Sequence, residues 1–599
     1  MYQKCFVKSR DSMLQVSCQN CKSKFAIDDA DSVFYKKLDV PLPTFCPDCR
    51  FQRRCSYINV RNLYTRNIPT IGSNAISMYS PDKALNIVED RKWWSDSCDV
   101  SSYGRDYDFK RSFFVQFNEL LQQVPLPHLQ RNYSTFENSD YCNAASSLKN
   151  CYLIINADND EHCLYGFCVE ECKHCVDTTF TNRSELCYAG VHLKNCYSCR
   201  YCEDCAGCSG LYWCRDCVAC NECFACIGLR HKSYHIFNRA FSREDYQQRR
   251  AEWHLGSWTA VEKITADVTR FFLSKPRKFM QGRNNQDVQG DYIYQSKNVR
   301  ASYVVEKAEE CKFIHLVRYL DSGTVHAYDY TMFGVGAELV YEAAWCGLNV
   351  HNVKFSLWNY GSSDLEYCFG CHSSKNLFGC IGVRRGKYCI LNKQYSSQEY
   401  EQLLPQIKAQ MLDVPYRDSK GNIYRYGEFF PTELSPFSYN QTIAQEFCPL
   451  TAEECVAQGF GWYQSRERKV GEFLHWRDIP DEVGKVPDEL LNKPILCRAF
   501  EENPEEALRH NCTQVFKVIP QELEFYRKMD LPLPRYCHNT RHHRRLRQLN
   551  PFRTWQRRCM CTSTAHGHTD NCPAVIETTF APERQEIVYC EDCYMKEAY

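Results

Sequence analysis

Four cysteines near the N-terminus have the type and spacing of a metal site: Cys18-x2-Cys21 and Cys46-x2-Cys49, with 24 residues between the pairs. Each CxxC turn supplies two thiolates, and the two turns together complete the tetrahedral coordination that zinc favours. No position is left open, so the expected role is structural rather than catalytic. Near the C-terminus Cys590-x2-Cys593 is a second such knuckle. Cys559-x-Cys561 is expected to face it, with Cys572, His566 and His568 as alternates. The cofactor expected from these sets is Zn2+, about two ions per chain.

Arginines crowd beside both sets. Arg541 to Arg558 reads RHHRRLRQLNPFRTWQRR, and the N-terminal counterpart carries Arg50, Arg53, Arg54, Arg61 and Arg66 with Tyr57 and Tyr64. Guanidinium forks bind phosphate bidentately, and aromatic rings offer stacking faces to bases. Arg50, Arg53, Arg54, Arg541, Arg544, Arg545 and Arg557, with Trp555, are therefore candidate contacts to RNA or DNA. The plain alternative is a helix whose arginines pair with nearby acids, and the balance of 73 basic against 73 acidic residues suits it.

Two internal repeats must position these groups. Phe34 to Arg54 (FYKKLDVPLPTFCPDCRFQRR) matches Phe525 to Arg545 (FYRKMDLPLPRYCHNTRHHRR), so the termini are copies of one module. Aligned without a gap, the C-terminal copy keeps Cys512 and Cys537 but has Arg509 and Thr540 at the other two ligand positions. Substitution by His510, His538, His542 or Cys497 is open, and full occupancy is not expected. The second site reads the other way: Ile68, Asp90 and Trp93 stand where the C-terminal copy has cysteines, leaving packing by Trp93 and Trp94 to hold that half-module. In the middle of the chain, Cys226 to Tyr246 matches Cys380 to Tyr400, each leading into a charged helix with Ser242 or Ser396 at its N-cap.

The N-terminal pattern of Cys18-x2-Cys21, Phe25, Phe34-Tyr35, Pro43, Cys46-Pro-x-Cys49-Arg50 and Arg53-Arg54 resembles the bacterial "probable zinc-binding domain" over about fifty residues. The wider chain resembles large cysteine-rich zinc-ribbon proteins of candidate-phylum bacteria. That resemblance implies a module with two zinc sites at each end and a cysteine-rich middle, and no particular activity.

The middle holds 17 cysteines between Cys142 and Cys226, all but Cys168 in one register modulo three. Recurrence of Cys142, Cys163, Cys187 and Cys208, and of Cys151, Cys172, Cys196 and Cys217, at steps of 21 and 24 residues predicts a β-solenoid coil of that length. In the second array Val350, Val353 and Leu377 stand at the places of Cys196, Cys199 and Cys223. A buried packing position tolerates that exchange and a metal ligand does not, so these thiols are read first as packing, ahead of metal clusters and redox pairs. Asn150, Asn195, Asn349 and Asn376 are expected at corners, where asparagine accepts a left-handed backbone.

Cys168-x3-Cys172-x2-Cys175 has iron–sulfur spacing, but two of its members already belong to the ladder. The chain shows no P-loop, dinucleotide fingerprint, nucleophile elbow or HExxH. Forty cysteines in a long chain whose start, Met1 to Arg10, lacks an apolar leader argue for a reducing cytoplasm rather than for a disulfide scaffold. No apolar run reaches the roughly 18 residues of a membrane span.

The expected fold is mainly β: zinc-ribbon modules at both termini flanking a duplicated cysteine-rich β-solenoid-like array, with short connecting helices. The expected divisions are 1–90 (zinc-ribbon module, second site degenerate), 91–129 (aromatic helical connector), 130–240 (first array), 241–283 (helical linker), 284–395 (second array), 396–496 (connector) and 497–599 (C-terminal zinc module). The expected function is a zinc-binding, non-enzymatic binding or scaffold protein, with RNA or DNA as the first partner class and protein as the second, and with no membrane. An iron–sulfur or thiol redox enzyme and a self-assembling structural protein are the alternatives.

Overall fold

Inward cysteines recur every third residue because each face of the coil is three residues long. Tyr197 bridges Ser209, Arg200 bridges Tyr212, Glu203 bridges Arg215 and Ala206 bridges Val218, all parallel. Four such faces make a coil of 12 residues, the separation of Cys196 from Ser184 beneath it. The first residue of each triplet joins the ladder. The second turns the corner with positive φ (54° at Ser198, 57° at Tyr201, 55° at Asp204). The third points inward, as Cys199, Cys202 and Cys205 do, each fully buried. Left-handed backbone at residues with a Cβ costs roughly 1–2 kcal/mol each. The corner amide offsets this by donating to the preceding coil, as Ser198 N does to Glu185 O at 2.9 Å. The expected coil of 21–24 residues is corrected by this geometry. Faces are chemically alike, so similar triplets recur at many multiples of three, and only backbone pairing identifies the true turn.

The structure, a computed structural model, describes residues 13–317, 324–325, 327–329, 331–332, 340–347, 350–464 and 471–598. Asn349 lies outside the described residues. Asn150, Asn195 and Asn376 occupy corners with φ of 53°, 51° and 55°. Among the described residues no helix is long and apolar enough to cross a membrane.

The chain divides into two units, each discontinuous in sequence. The first joins Met1–Asn59, Tyr64–His128 and Gly282–Tyr463. The second joins Val60–Leu63, Leu129–Gln281 and Gln464–Tyr599. The N-terminal module therefore belongs with the second array, and the C-terminal module with the first.

In the first unit, parallel strands His351–Lys354, Ser363–Glu366, Lys375–Phe378 and Lys387–Ile390 stack in register. The coils from Tyr328 to Tyr341 and from Tyr341 to Lys354 are each one residue longer than the 12-residue coils that follow them. A hairpin of Lys387–Ile390 with Lys393–Gln394 ends the array, and Ser396 then caps the helix Ser397–Asp413 through a reciprocal pairing with Glu399. The aromatic segment forms the helix Phe113–Gln123, whose Phe113 packs 5.2 Å from both Tyr367 and Phe378. In the second unit the strands Asn143–Lys149, Ile155–Glu161, Phe167–Glu170 and Thr179–Asn182 open the array. The hairpin of His235–Ile236 with Arg239–Ala240 closes it, and Ser242 caps the helix Arg243–Ala251. Both arrays thus end in the way the repeated sequence predicts.

Candidate metal centres

The N-terminal hairpin Leu14–Ser17 with Lys24–Ile27 delivers Cys18 and Cys21, and Cys46 is the N-cap of the helix Pro47–Cys55, which carries Cys49 in its first turn. Proline at the first helical position suits a start there, where no intrahelical amide bond is lost. The four sulfurs lie within 4.8 Å of one another. Cys21 Sγ and Cys46 Sγ are 3.6 Å apart. A tetrahedral zinc site with Zn–S near 2.3 Å requires sulfur–sulfur edges of roughly 3.8 Å, so the set fits the ion. Asn20 Nδ2 donates to Cys49 Sγ at 3.3 Å.

The C-terminal copy of this cysteine set has lost less than a gap-free alignment implies. Its hairpin pairs Ile495–Leu496 with Val515–Phe516, and Cys497 follows the first strand as Cys18 does. An insertion carrying the helices Arg498–Glu502 and Pro504–Arg509 separates Cys497 from Cys512. Cys497, Cys512 and Cys537 form one buried group, with Cys512 and Cys537 sulfurs 3.6 Å apart. Arg509, His510, His538 and His542 are not in that group. Thr540 replaces the fourth cysteine, its hydroxyl 3.3 Å from Cys537 Sγ and 3.6 Å from Cys497 Sγ.

The second C-terminal set is regrouped. Cys559, Cys572, Cys590 and Cys593 gather within 4.8 Å, with Cys572 and Cys590 sulfurs 3.9 Å apart. The expected quartet of Cys559, Cys561, Cys590 and Cys593 is corrected: Cys561 gathers instead with His566, His568 and Cys593. A one-residue spacer is shorter than the two-to-four-residue knuckle that presents both thiols to one ion. At the N-terminus, Ile68, Asp90 and Trp93 are buried and bring no second thiol set. Trp93 stacks 5.4 Å from Trp358 and donates Nε1–H to Pro125 O at 3.0 Å.

The arginine expectation meets a different outcome. Cys46 and Cys537 each cap a helix whose residues four and eight further on are arginine, and that spacing places them on one face. Arg50 Nε pairs with Asp329, and Arg541 Nε pairs with Asp177 at 3.1 Å. Arg54 Nε donates to Thr331 Oγ1 at 3.0 Å, and Arg545 Nε to Thr179 Oγ1 at 3.1 Å. Asp329-x-Thr331 and Asp177-x-Thr179 are equivalent positions of the two arrays once the two longer coils are allowed for. Arg53 reaches Glu342 at 2.8 Å and Glu428 at 3.3 Å. Arg50, Arg53, Arg54, Arg541 and Arg545 are all buried. The prediction that they contact phosphate is corrected: they are buried, facing carboxylates, hydroxyls and carbonyls inside the two units. Arg544 stays exposed over Tyr536, because Ala189 stands one coil beyond Asp177 where the other array has Glu342. Arg557 is half-buried and donates to Ala581 O at 3.2 Å, beside a half-buried Trp555.

The array thiols behave as packing groups. Cys151, Cys163, Cys175, Cys187 and Cys199 stack in one inward column, one coil apart. Strand spacing of about 4.8 Å exceeds the roughly 3.8 Å edge of a zinc tetrahedron. Their protons are engaged: the single S–H of Cys196 lies between Lys194 O at 3.5 Å and Cys205 O at 3.4 Å. Ser374 fills the same kind of position, its one hydroxyl proton shared between His372 O at 2.9 Å and Val383 O at 3.3 Å. Burial pushes Cys142, Cys311 and Cys346 up to about 12, so they are neutral thiols at physiological pH. Cys168 sits at a left-handed corner, off the inward columns, which separates it from Cys172 and Cys175. Among the described residues, no gathered ligand set contains an array cysteine.

No protein-family model and no curated protein matches the chain. Among solved structures, a putative acetyltransferase from Desulfovibrio desulfuricans G20 aligns at 10% identity, covering 49% of this chain and 85% of that one, with a TM-score of 0.10 that carries no argument.

Proposed function

We propose that the protein is a zinc-stabilised, non-enzymatic scaffold in a reducing cytoplasm. In each unit, a helix set by a cysteine cluster at its N-cap drives buried arginines onto an array, and the outer faces of the coils carry a partner. One observation supports this most: the same cysteine, arginine, aspartate and threonine arrangement occurs twice, as Cys46, Arg50, Arg54, Asp329 and Thr331 and as Cys537, Arg541, Arg545, Asp177 and Thr179. The four gathered thiols of Cys18, Cys21, Cys46 and Cys49 agree with zinc as the ion. A protein partner is favoured over nucleic acid, because most of the candidate arginines are consumed internally. Anaerobic purification followed by metal analysis is the direct test. At least about two zinc ions per chain are expected, with no iron or labile sulfide. Stoichiometric iron and sulfide would overturn the reading in favour of an iron–sulfur enzyme.

A further inference from the structure

Two of the three ligand groups of the C-terminal module share one residue. Cys559, Cys572, Cys590 and Cys593 form one, and Cys561, His566, His568 and Cys593 form the other. Two tetrahedral ions need eight ligand positions, and seven residues supply eight when one thiolate serves both. We propose that this module holds two divalent zinc-like ions bridged by the Cys593 thiolate, one in a four-sulfur site and one in a two-sulfur, two-nitrogen site. The inference rests on the zinc reading above and adds a second ion to its C-terminal centre.

The histidines carry the argument beyond proximity. A metal-binding imidazole usually gives its other nitrogen to an oxygen, which fixes the tautomer and aims the lone pair. His566 places Nδ1 3.1 Å from Cys561 Sγ, and its Nε2 lies 3.7 Å from the Glu597 carboxylate. His568 is turned the other way: Nδ1 lies 2.6 Å from Asp570 O, leaving Nε2 3.6 Å from Cys593 Sγ. Each ring therefore turns one nitrogen toward an oxygen, within hydrogen-bond distance in His568 and beyond it in His566, and the other toward the sulfurs. Gly567 lies between them with φ of +90°, a conformation that resists a side chain and lets both rings reach the same cluster across a single residue. The helix Glu591–Ala598 contributes Cys593 and Glu597, one turn apart on one face, so bridging thiolate and orienting carboxylate come from one rigid element. A single ion in the four-sulfur set would leave Cys561 and two oriented imidazoles without a task.

The test replaces the native metal of the full chain with 113Cd and records its NMR spectrum. A bridging thiolate couples two cadmium nuclei, so two mutually split resonances are expected from the C-terminal module. The Cys18, Cys21, Cys46 and Cys49 set gives an unsplit resonance in the same spectrum as internal control. Unsplit resonances throughout would overturn the bridge and leave the zinc reading standing, whereas no bound cadmium would overturn both. His566→Asn with His568→Asn should lower the metal content by one equivalent and collapse the splitting, with the Cys18-set resonance unmoved. Unchanged metal content in that variant also overturns the proposal. If the variant does not fold, the splitting in the unmodified chain still decides.

Discussion

At the scale of single residues, cysteine has two roles in this chain, and the partner of the sulfur separates them. Sulfurs of the candidate metal sets gather near tetrahedral-edge distances, as at 3.6 Å between Cys21 and Cys46. Array sulfurs donate to carbonyls along and across the coils, a task serine performs at Ser184, Ser362 and Ser374. Replacement by serine should therefore discriminate. Cys196→Ser, directly above Ser184, is expected to change stability by no more than about 1–2 kcal/mol and to leave the metal content intact. Cys46→Ser should remove one zinc equivalent and unfold the N-terminal ribbon, since a structural zinc contributes on the order of 10 kcal/mol or more. Metal analysis and thermal melts of both variants check this, and loss of metal from Cys196→Ser would sink the division.

At the scale of elements, the coil brings histidines into places a lone strand would leave wet. His372 is buried among Trp93, Trp94, Trp358 and Tyr360, and His315 stacks 4.2 Å from Phe51. Burial, assisted by Arg384 beside His372 and Arg54 beside His315, lowers both to about 3. The unfolded value is near 6.5, so below it the unfolded chain binds more protons than the folded one. Their contribution is thus fully present above about pH 6.5 and is lost as pH falls toward 3, by up to roughly 1.4 kcal/mol per pH unit for each ring. Denaturant midpoints for the first unit at pH 7 and pH 5 should differ less in His372→Gln than in the unmodified protein. An equal pH dependence in the two would exclude His372 as a source. Acid release of metal affects both proteins alike and drops out of the difference.

At the scale of the whole molecule, both units are assembled from distant stretches of chain. Arg50 and Asp329 are 279 residues apart, and Arg545 and Asp177 are 368 apart. Contacts of such separation close long loops before any interaction rewards them, so slow folding of both units is expected. The pairing also makes a directional prediction. Arg541→Ala leaves Asp177 and Glu522 buried without that cation, a change that typically costs about 3–5 kcal/mol. Hydrogen exchange should quicken in the first array around Asp177 to Tyr188 and stay unchanged in the second array from His351 to Ile390. A rise confined to the second array would contradict the unit assignment.

The sequence by itself determined the chemistry that is local. The Cys18, Cys21, Cys46 and Cys49 set, the helix caps at Ser242 and Ser396, the period of three and the packing character of the array thiols all follow from residue type and short spacing, which fix turns, caps and burial directly. The two duplications were also visible, because residue identity survives in a repeat wherever packing holds it. Tertiary structure alone decided the rest. Coil length is a matter of which backbone amide meets which carbonyl, and four like faces hide that number from any count of cysteines. Cys497 could not be matched to Cys18 across an inserted pair of helices, since a metal set is defined by where sulfurs meet in space. Five arginines that read as phosphate contacts are buried, because their carboxylates lie hundreds of residues away or on another element, and charge pairing over that range leaves no local mark. The shared position of Cys593 is of the same kind: spacing identifies a knuckle, but only the folded module brings it against two sets of ligands.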